Sequence, residues 1–591
     1  MKRKFCAILL LCALGLTLLP LIPQAAAVTE AGITTLYIEP NQEAGLSHRI
    51  YPVRSADDQL TLYLPGDVDA EKLCLSWADT TQVAVNTVAQ TSGQLPIPQP
   101  GADLVIQVDR KYLKLRTLQG SAQVQAMHLT IDSQADGFVS FAEMSADTPK
   151  EKKSAGTMTL GEDTYPMSIK GRGNSTWTAY EKKPYNITLY KDDTYTKKQA
   201  AELIDGVSSK AWTLLANYTD GSLLRNKLGN DLACALGLGL KSKFVDLYVD
   251  GVYQGCYLMT PKSDYQAPEE GLMLEIDNYL DDEDPQITLE GMKEYHPTRY
   301  GFQHRFTVKE NNTTASTEDI RQYLQSAWDA LRSHDSQEYL NYIDLDSWAK
   351  YYLLHEFYKS FDVICGSIFM TRNSLAEGDK LVAGPVWDLD NTMGRTNNNR
   401  DLGLTTEEQH SPDGWYIQNI YDPEPWDGGD LVNEFWLQQL GKHEDFMARV
   451  YELYLQYQEV FDTAAAQLTE DAAGMEASAL MNEDLIGFHA GASREEPDDH
   501  GCVVTNTWAD CVANLKNYAE KRAAFLRHNI PGAQPLPEDT TQPAPSVPVP
   551  TTPSAGAEKE MAPAYLIPVL VGCFVPFIAI FLALRKRKSA E

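Results

Sequence analysis

Two stretches decide how this chain is read: Lys170–Leu189, KGRGNSTWTAYEKKPYNITL, and Gly384–Gly394, GPVWDLDNTMG. The first is a glycine-broken basic turn ahead of a short alternating run that opens on paired lysines. Glycines at 171 and 173 let the backbone bend and approach a ligand. Arg172, the turn amides and the Ser175 and Thr176 hydroxyls are all donors suited to an oxyanion. Taken alone the turn is equally at home as a plain connection between strands. If KKPYNITL is a strand, Lys183 and Tyr185 share a face and Lys182 takes the other, so one lysine can reach inward to a phosphate. The second stretch ends a strand with Asp388 and Asp390. Oxygen ligands with no histidine cluster suit a hard cation such as Mg2+ or Mn2+. A turn in which both carboxylates only bond nearby amides fits the same residues.

The chain has 591 residues and a formal net charge of −32, so two or three folded units are expected and a nucleic-acid binder is not. Lys2–Lys4, the apolar run 5–21 and Ala25–Ala27 read as a signal peptide over 1–27. Residues 562–584 read as a transmembrane helix and Arg585–Lys588 as its cytoplasmic flank within a tail of 585–591. The reading is a single-pass cell-membrane protein with its N-terminal ectodomain outside. Residues 531–561, rich in Pro and Thr, form a stalk. No CxxC pair occurs; Cys502 and Cys511 are close enough in sequence to close a small loop.

Residues 28–133 alternate in short runs, among them 35–38, 60–64, 104–108 and 124–131, and read as an all-β module, a spacer or a binding unit. Further on, Asp220 or Ser222 is placed to cap a helix running to about Leu236 with Arg225 in its first turn, and Asp250-Gly251 reads as a hairpin turn. Arg225 and Asn226 either support a phosphate site or brace the fold. The run 345–358 carries a core stripe in which His355 is a packed residue. Helical spacing returns over 431–461 and 509–526.

KGRGNSTW, KKPYNITL, WTLLANYTDGSLLRNKL, FVDLYVDGVYQGCYLM, GLMLEIDNY and GPVWDLDNTMG occur in that order, followed by a helix near Trp508–Leu526. Together they resemble the CotH family, atypical kinases related to spore coat protein H, over about 137–530. The resemblance implies an α+β chain with a divergent, protein-kinase-like two-lobed core, preceded here by the β module. It implies ATP with Mg2+ or Mn2+ as cofactors, and secreted or surface proteins with Ser or Thr acceptors as substrates. It places Asp362 where a kinase aspartate orients the acceptor hydroxyl and Asp388 where the metal-binding aspartate sits, with Asp390 a second ligand. Lys183 joins Asp362 as catalytic. Arg172, Gly173, Asn174, Ser175, Lys183, Arg225, Asn226 and Trp387 are the nucleotide-binding candidates, although a tryptophan before a turn also suits a core. Two positions depart from the pattern. Ser367 stands where an asparagine holds a second metal, and Pro261 stands where the family commonly has a glutamate, leaving Glu275 to replace it. Lys309 matches a family lysine and contacts either phosphate or an acidic residue. A surface adhesin or scaffold without turnover is the alternative. A carbohydrate-active enzyme using paired carboxylates would leave the basic turn at Arg172 without a role.

Overall fold

The structure is a computed structural model that describes residues 35–54, 58–277, 284–292, 305–360, 363, 366–395, 408, 410–420, 435–486, 495–498, 501–504 and 507–535. The signal-peptide stretch, most of the stalk, the apolar tail, Asp362 and the side chain of Cys502 lie outside these residues. Among the described residues no helix is long and apolar enough to cross a membrane. The described chain is mixed α+β.

The N-terminal module consists of a three-stranded sheet, 36–38, 74–77 and 95–96, and a six-stranded sheet ordered 53–54, 59–64, 111–119, 103–108, 83–85, 88–89. Its strand Gln59–Leu64 is buried on both faces. Leu60, Leu62 and Leu64 lie in the module's own core, while Tyr63 donates its hydroxyl to Asp484 Oδ2 (2.6 Å), far along the chain.

The run at 124–131, read with this module, belongs to the next unit instead. Strand Gln125–Ile131 pairs antiparallel with Lys153–Leu160 and parallel with Lys243–Val249. Alternation tells which residues share a face but not which strand will pair, and here Met127 and Leu129 fill a different core from that of the module. The result is a closed barrel in the order 125–131, 153–160, 163–171, 185–189, 211–215, 252–261, 243–249. Asp250 and Gly251 form the expected turn, both with positive φ (48° and 80°).

Beyond the barrel, a five-stranded sheet is ordered 286–287, 305–311, 272–277, 368–372, 382–383. Helices Thr317–Arg332, Leu345–Tyr358, Glu444–Asp462 and Trp508–Asn529 accompany it. Ser316 and Asp319 form a reciprocal capping box on the first of these. A single large core spans the region, with Trp328, Trp348 and Trp436 each fully buried. His355 is packed among Tyr351 and Tyr358 as expected, and burial pushes its imidazole down to about 3.

Helix Ala464–Ile486, which carries no apolar stripe legible in the sequence, ties the three regions together. Its Ser478 donates to Asp246 Oδ2 on the barrel (2.7 Å) and accepts from the Ser121 amide (2.8 Å). Its Asp484 pairs with Arg116 of the module.

Two further buried charges fix the last helix. Arg522, fully buried, pairs with Glu356 Oε1 (2.9 Å) and donates to the carbonyls of Pro412 (2.9 Å) and Gly414 (2.7 Å). Glu356 in turn accepts from the amides of Tyr416 (2.5 Å) and Ile417 (3.0 Å). Removing one partner of such a pair leaves a buried charge without compensation. Arg522→Leu is therefore expected to destabilise the folded protein by about 3–5 kcal/mol, read as a lowered urea midpoint. A shift under about 1 kcal/mol would mean that the pair is not holding this helix.

Candidate functional site

The basic turn leaves the barrel at Gly171, the last residue of strand Asp163–Gly171. A Cβ at Gly171 would press into the Trp177 ring (2.5 Å), and one at Gly173, where φ is +77°, would overlap Thr176 Oγ1. Both glycines are therefore required by close approach and, at 173, by backbone conformation. Trp177 is locked by its indole N–H, which donates to Asp147 O (2.9 Å). Asn174 Oδ1 accepts from Lys150 Nζ (3.1 Å). The Ser175 side chain lies outside the described residues.

The Arg172 guanidinium sits over the Trp387 ring, 5.5 Å from its centroid. Burial pushes its pKa down, while Asp388, Asp390 and Glu275 act in the opposite direction. The next residues lean the same way. Tyr180 stacks on Tyr218 (5.0 Å), and after burial the groups that reach it are Arg395 and Asp390. The basic turn and the carboxylate turn thus meet across Trp387, although more than two hundred residues separate them in sequence.

The two lysines do not follow the strand reading. The strand begins only at Tyr185, so both precede it and alternation does not govern them. Lys182 is the buried one: its Nζ donates to Asn482 Oδ1 (2.8 Å) and to Cys256 O, and lies 4.4 Å from the Tyr257 ring centroid. Lys183 donates to Trp177 O (2.5 Å), and burial pushes its pKa down. Lys183 therefore grips the back of the basic turn, at Trp177.

The carboxylate turn is held from beneath. Leu389 N donates to Asn226 Oδ1 (2.9 Å), and Asn226 Nδ2 donates to Asn217 Oδ1 (3.0 Å). Leu389 is fully buried against Gly229, where a Cβ would overlap its side chain. Arg225 Nε donates to Thr392 O (3.1 Å), and its Nη1 pairs with Asp220 Oδ1 (2.7 Å). Burial raises the Asp220 carboxyl, but Arg225 and the Ser222 hydroxyl outweigh it, and the net pKa is lowered. The N-cap position of helix Arg225–Ala235, Leu224, offers no side-chain acceptor, and the first amide is met from further upstream, Arg225 N donating to Asp220 Oδ2 (2.9 Å) and Leu224 N to Ser222 Oγ (3.1 Å). Arg225 and Asn226, candidates for nucleotide contact, are buried and engaged with this turn; of the two roles open to them, the brace is the one the geometry assigns.

The brace leaves Asp388 exposed and in the left-handed region (φ 61°), a conformation that costs about 1–3 kcal/mol unless its surroundings enforce it. Asp390 is half-buried, and its Oδ2 accepts from Thr219 Oγ1 (3.0 Å). Thr219, Tyr180 and Arg395, which donates to Asp390 O (2.9 Å), are site residues that the sequence pattern did not single out. Among the described residues no group of three or more His, Cys, Asp or Glu could hold a metal. Trp387 is buried with Leu215, Leu240, Leu258, Met273 and Phe369, a small apolar cluster between barrel and second sheet.

Glu275 is buried on strand Leu272–Asp277, 3.6 Å from Lys309, whose closer partner is Asp284 (2.9 Å). Lys309 thus contacts acidic residues. Pro261 ends strand Val252–Pro261, paired with Trp212. Ser367 has positive φ (57°), and its carbonyl accepts from Tyr351 (3.4 Å).

Among curated proteins none matches the chain. The family model for CotH kinase protein matches residues 169–526, running from the barrel strand that delivers the basic turn to the last helix. By this match, which takes in both turns and the brace between them, the chain belongs to the CotH kinase family.

Proposed function

We propose that this chain is an extracytoplasmic, membrane-anchored atypical protein kinase that transfers the γ-phosphate of ATP to Ser or Thr hydroxyls of secreted or surface proteins. The observation that carries this reading is the meeting of Arg172 with Asp388 and Asp390 across Trp387. A half-buried cation whose charge is felt by two carboxylates matches a triphosphate bound together with a divalent cation. The donor set fits that cation. It offers oxygens only, from Asp388 and Asp390, and Mg2+ is ordinarily held by one or two carboxylates with phosphate and water completing its shell. When bound, Mg2+ or Mn2+ supplies neutralisation of the charge on the transferred group.

The chain's own residues would divide the remaining work. Arg172 pairs with phosphate oxygens, and Trp387, itself buried in the apolar cluster, backs the Arg172 guanidinium. Lys183, expected to act on phosphate, is instead committed to the Trp177 carbonyl and would serve by holding the basic turn in place. Asp362, seven residues after His355 on the segment that follows helix Leu345–Tyr358, would orient the acceptor hydroxyl. The competing reading, a scaffold without turnover, draws on Ser367 and on the strand-end Pro261.

Incubating the purified protein with labelled ATP and Mn2+ separates the two readings. Autophosphorylation or transfer to surface proteins is expected, with Asp388→Ala lowering it by about 100-fold or more. Transfer unaffected by that substitution, or no transfer and no nucleotide-induced thermal shift in the parent protein, would remove the kinase reading.

Glu275 gives a pH test of the same wall. Burial, and then Asp277, push its carboxyl from the ordinary 4.5 up to about 8. The folded protein therefore keeps a proton that the unfolded chain has released, so this contribution to stability is full below 4.5 and is lost as the pH rises through about 8. The melting temperature should fall between pH 6 and pH 9, and Glu275→Gln should shrink that fall; equal falls in both proteins would exclude Glu275 as its source.

A further inference from the structure

Lys150 lies upstream of the residues that the family match covers, in a segment with no role in the reading above. It follows the short helix Phe141–Ser145, and its backbone is left-handed (φ 64°), which for a lysine requires enforcement from its surroundings. Its surroundings are specific. Lys150 N donates to Asp147 O (3.1 Å), and Asp147 Oδ2 accepts from the amides of Glu151 (2.7 Å) and Lys152 (2.8 Å). The same Asp147 carbonyl receives the Trp177 indole N–H (2.9 Å). This compact turn aims the Lys150 ammonium at the basic turn, where Nζ donates to Gly173 O (2.5 Å) and Asn174 Oδ1 (3.1 Å). At the other end of the same five residues, the Lys183 ammonium holds Trp177 O (2.5 Å).

We propose that Lys150 is a positioning residue for the phosphate-facing turn: by fixing the Gly173 carbonyl and the Asn174 side chain it directs Arg172 toward Trp387 and Asp388. The assignment deepens the kinase reading and rests on it for the identity of the ligand. Its physical content is electrostatic. A triphosphate is repelled by carbonyl oxygens, and a glycine at positive φ leaves the direction of its peptide weakly determined. An ammonium bonded to the Gly173 carbonyl fixes the direction of that carbonyl and offsets its negative end, so the turn presents Arg172 without an opposing dipole. Lys150 acts through the Gly173 carbonyl and the Asn174 side chain, which distinguishes it from Arg172.

The test uses the full-length protein and its Lys150→Met and Lys150→Arg variants, with two independent readouts. Amide hydrogen exchange over residues 171–178 should quicken by about tenfold in Lys150→Met while the barrel strand 163–170 keeps its protection. The half-saturating concentration of Mg-ATP should rise by about tenfold with kcat within about twofold of the parent, and Lys150→Arg should restore both readouts to within about threefold. Unchanged exchange at 171–178, or an unchanged half-saturating concentration, overturns the assignment. So does a parallel loss of kcat and melting temperature, which would mark Lys150 as a general structural residue. If the parent protein shows no response to Mg-ATP, the kinase reading falls on its own, and the exchange measurement alone then decides whether Lys150 fixes the turn.

Discussion

The buried Asp220–Arg225 pair, with Asn226 beside it, is the constraint on which the site depends. Arg225 reaches one carboxylate, Asp220, five residues upstream and one carbonyl, Thr392 O, from the far half of the sequence. Asn226 bonds the Leu389 amide from the next position along the helix. Two successive side chains at a helix start therefore fix both ends of the four-residue turn 389–392. A buried ion pair rarely adds net stability over an apolar substitute, because desolvation offsets the attraction. What it does contribute here is geometry: an arginine with several donors in a fixed plane can satisfy a carboxylate and a carbonyl at once, and no apolar residue could set the direction of Asp388 in that way.

That geometry explains why a strained residue stands at the centre of the site. Asp388 is left-handed between a buried tryptophan and a buried leucine, both anchored, so its backbone is held in place while the residue itself stays exposed. Leu389 can be anchored only because Gly229 has no Cβ in its path. The helix Arg225–Ala235 thus acts on the site three times, through Arg225, Asn226 and Gly229. The basic turn opposite is built on a contrasting plan. It is short, contains glycines, and is held by ammonium groups at its carbonyls rather than by a buried helix, so it is the more adaptable wall of the two.

Several parts of this arrangement were legible in the sequence because they depend on local rules. The Asp250-Gly251 turn follows from two positive φ angles between alternating runs, and helix Leu345–Tyr358 from its run of aromatic and aliphatic residues, although it is buried on nearly every side rather than along the one stripe expected. Arg172, Asp388 and Asp390 stood out because their turns occur among several motifs in one order; taken alone, each turn fits a structural role as well. What stayed hidden depends on distant partners. The strand Gln125–Ile131 looks like its N-terminal neighbours until Met127 and Leu129 are seen in another core. Helix Ala464–Ile486 buries one face, through Leu468, Ala472, Met475, Ala479 and Asn482, but alanines stand on its other faces too and that buried face includes polar residues, so the pattern does not announce it. The choice between Lys182 and Lys183 turned on where the strand begins, a boundary two residues later than alternation suggested.

Lys182 shows why that boundary matters for more than one residue. Released from the strand's alternation, it enters a polar pocket formed by the Cys256 carbonyl and Asn482, and Asn482 Oδ1 also accepts the Cys256 amide (3.1 Å). A lysine buried this deeply persists only when its donors are satisfied, and the acceptors come from strand Val252–Pro261 and helix Ala464–Ile486. Gly255, with φ of +115°, leaves the space that Lys182 Cε and Asn482 Oδ1 occupy. The barrel wall and helix Ala464–Ile486 are therefore joined at the base of the segment that carries the basic turn. Any movement of that helix along the barrel would pull on Lys182, and through residues 183 and 184 on the Pro184 carbonyl that receives the Arg172 amide (3.2 Å). The same helix also carries Asp484, bonded to Tyr63 and Arg116, so one helix contacts both the N-terminal module and the lysine that precedes the barrel strand Tyr185–Leu189.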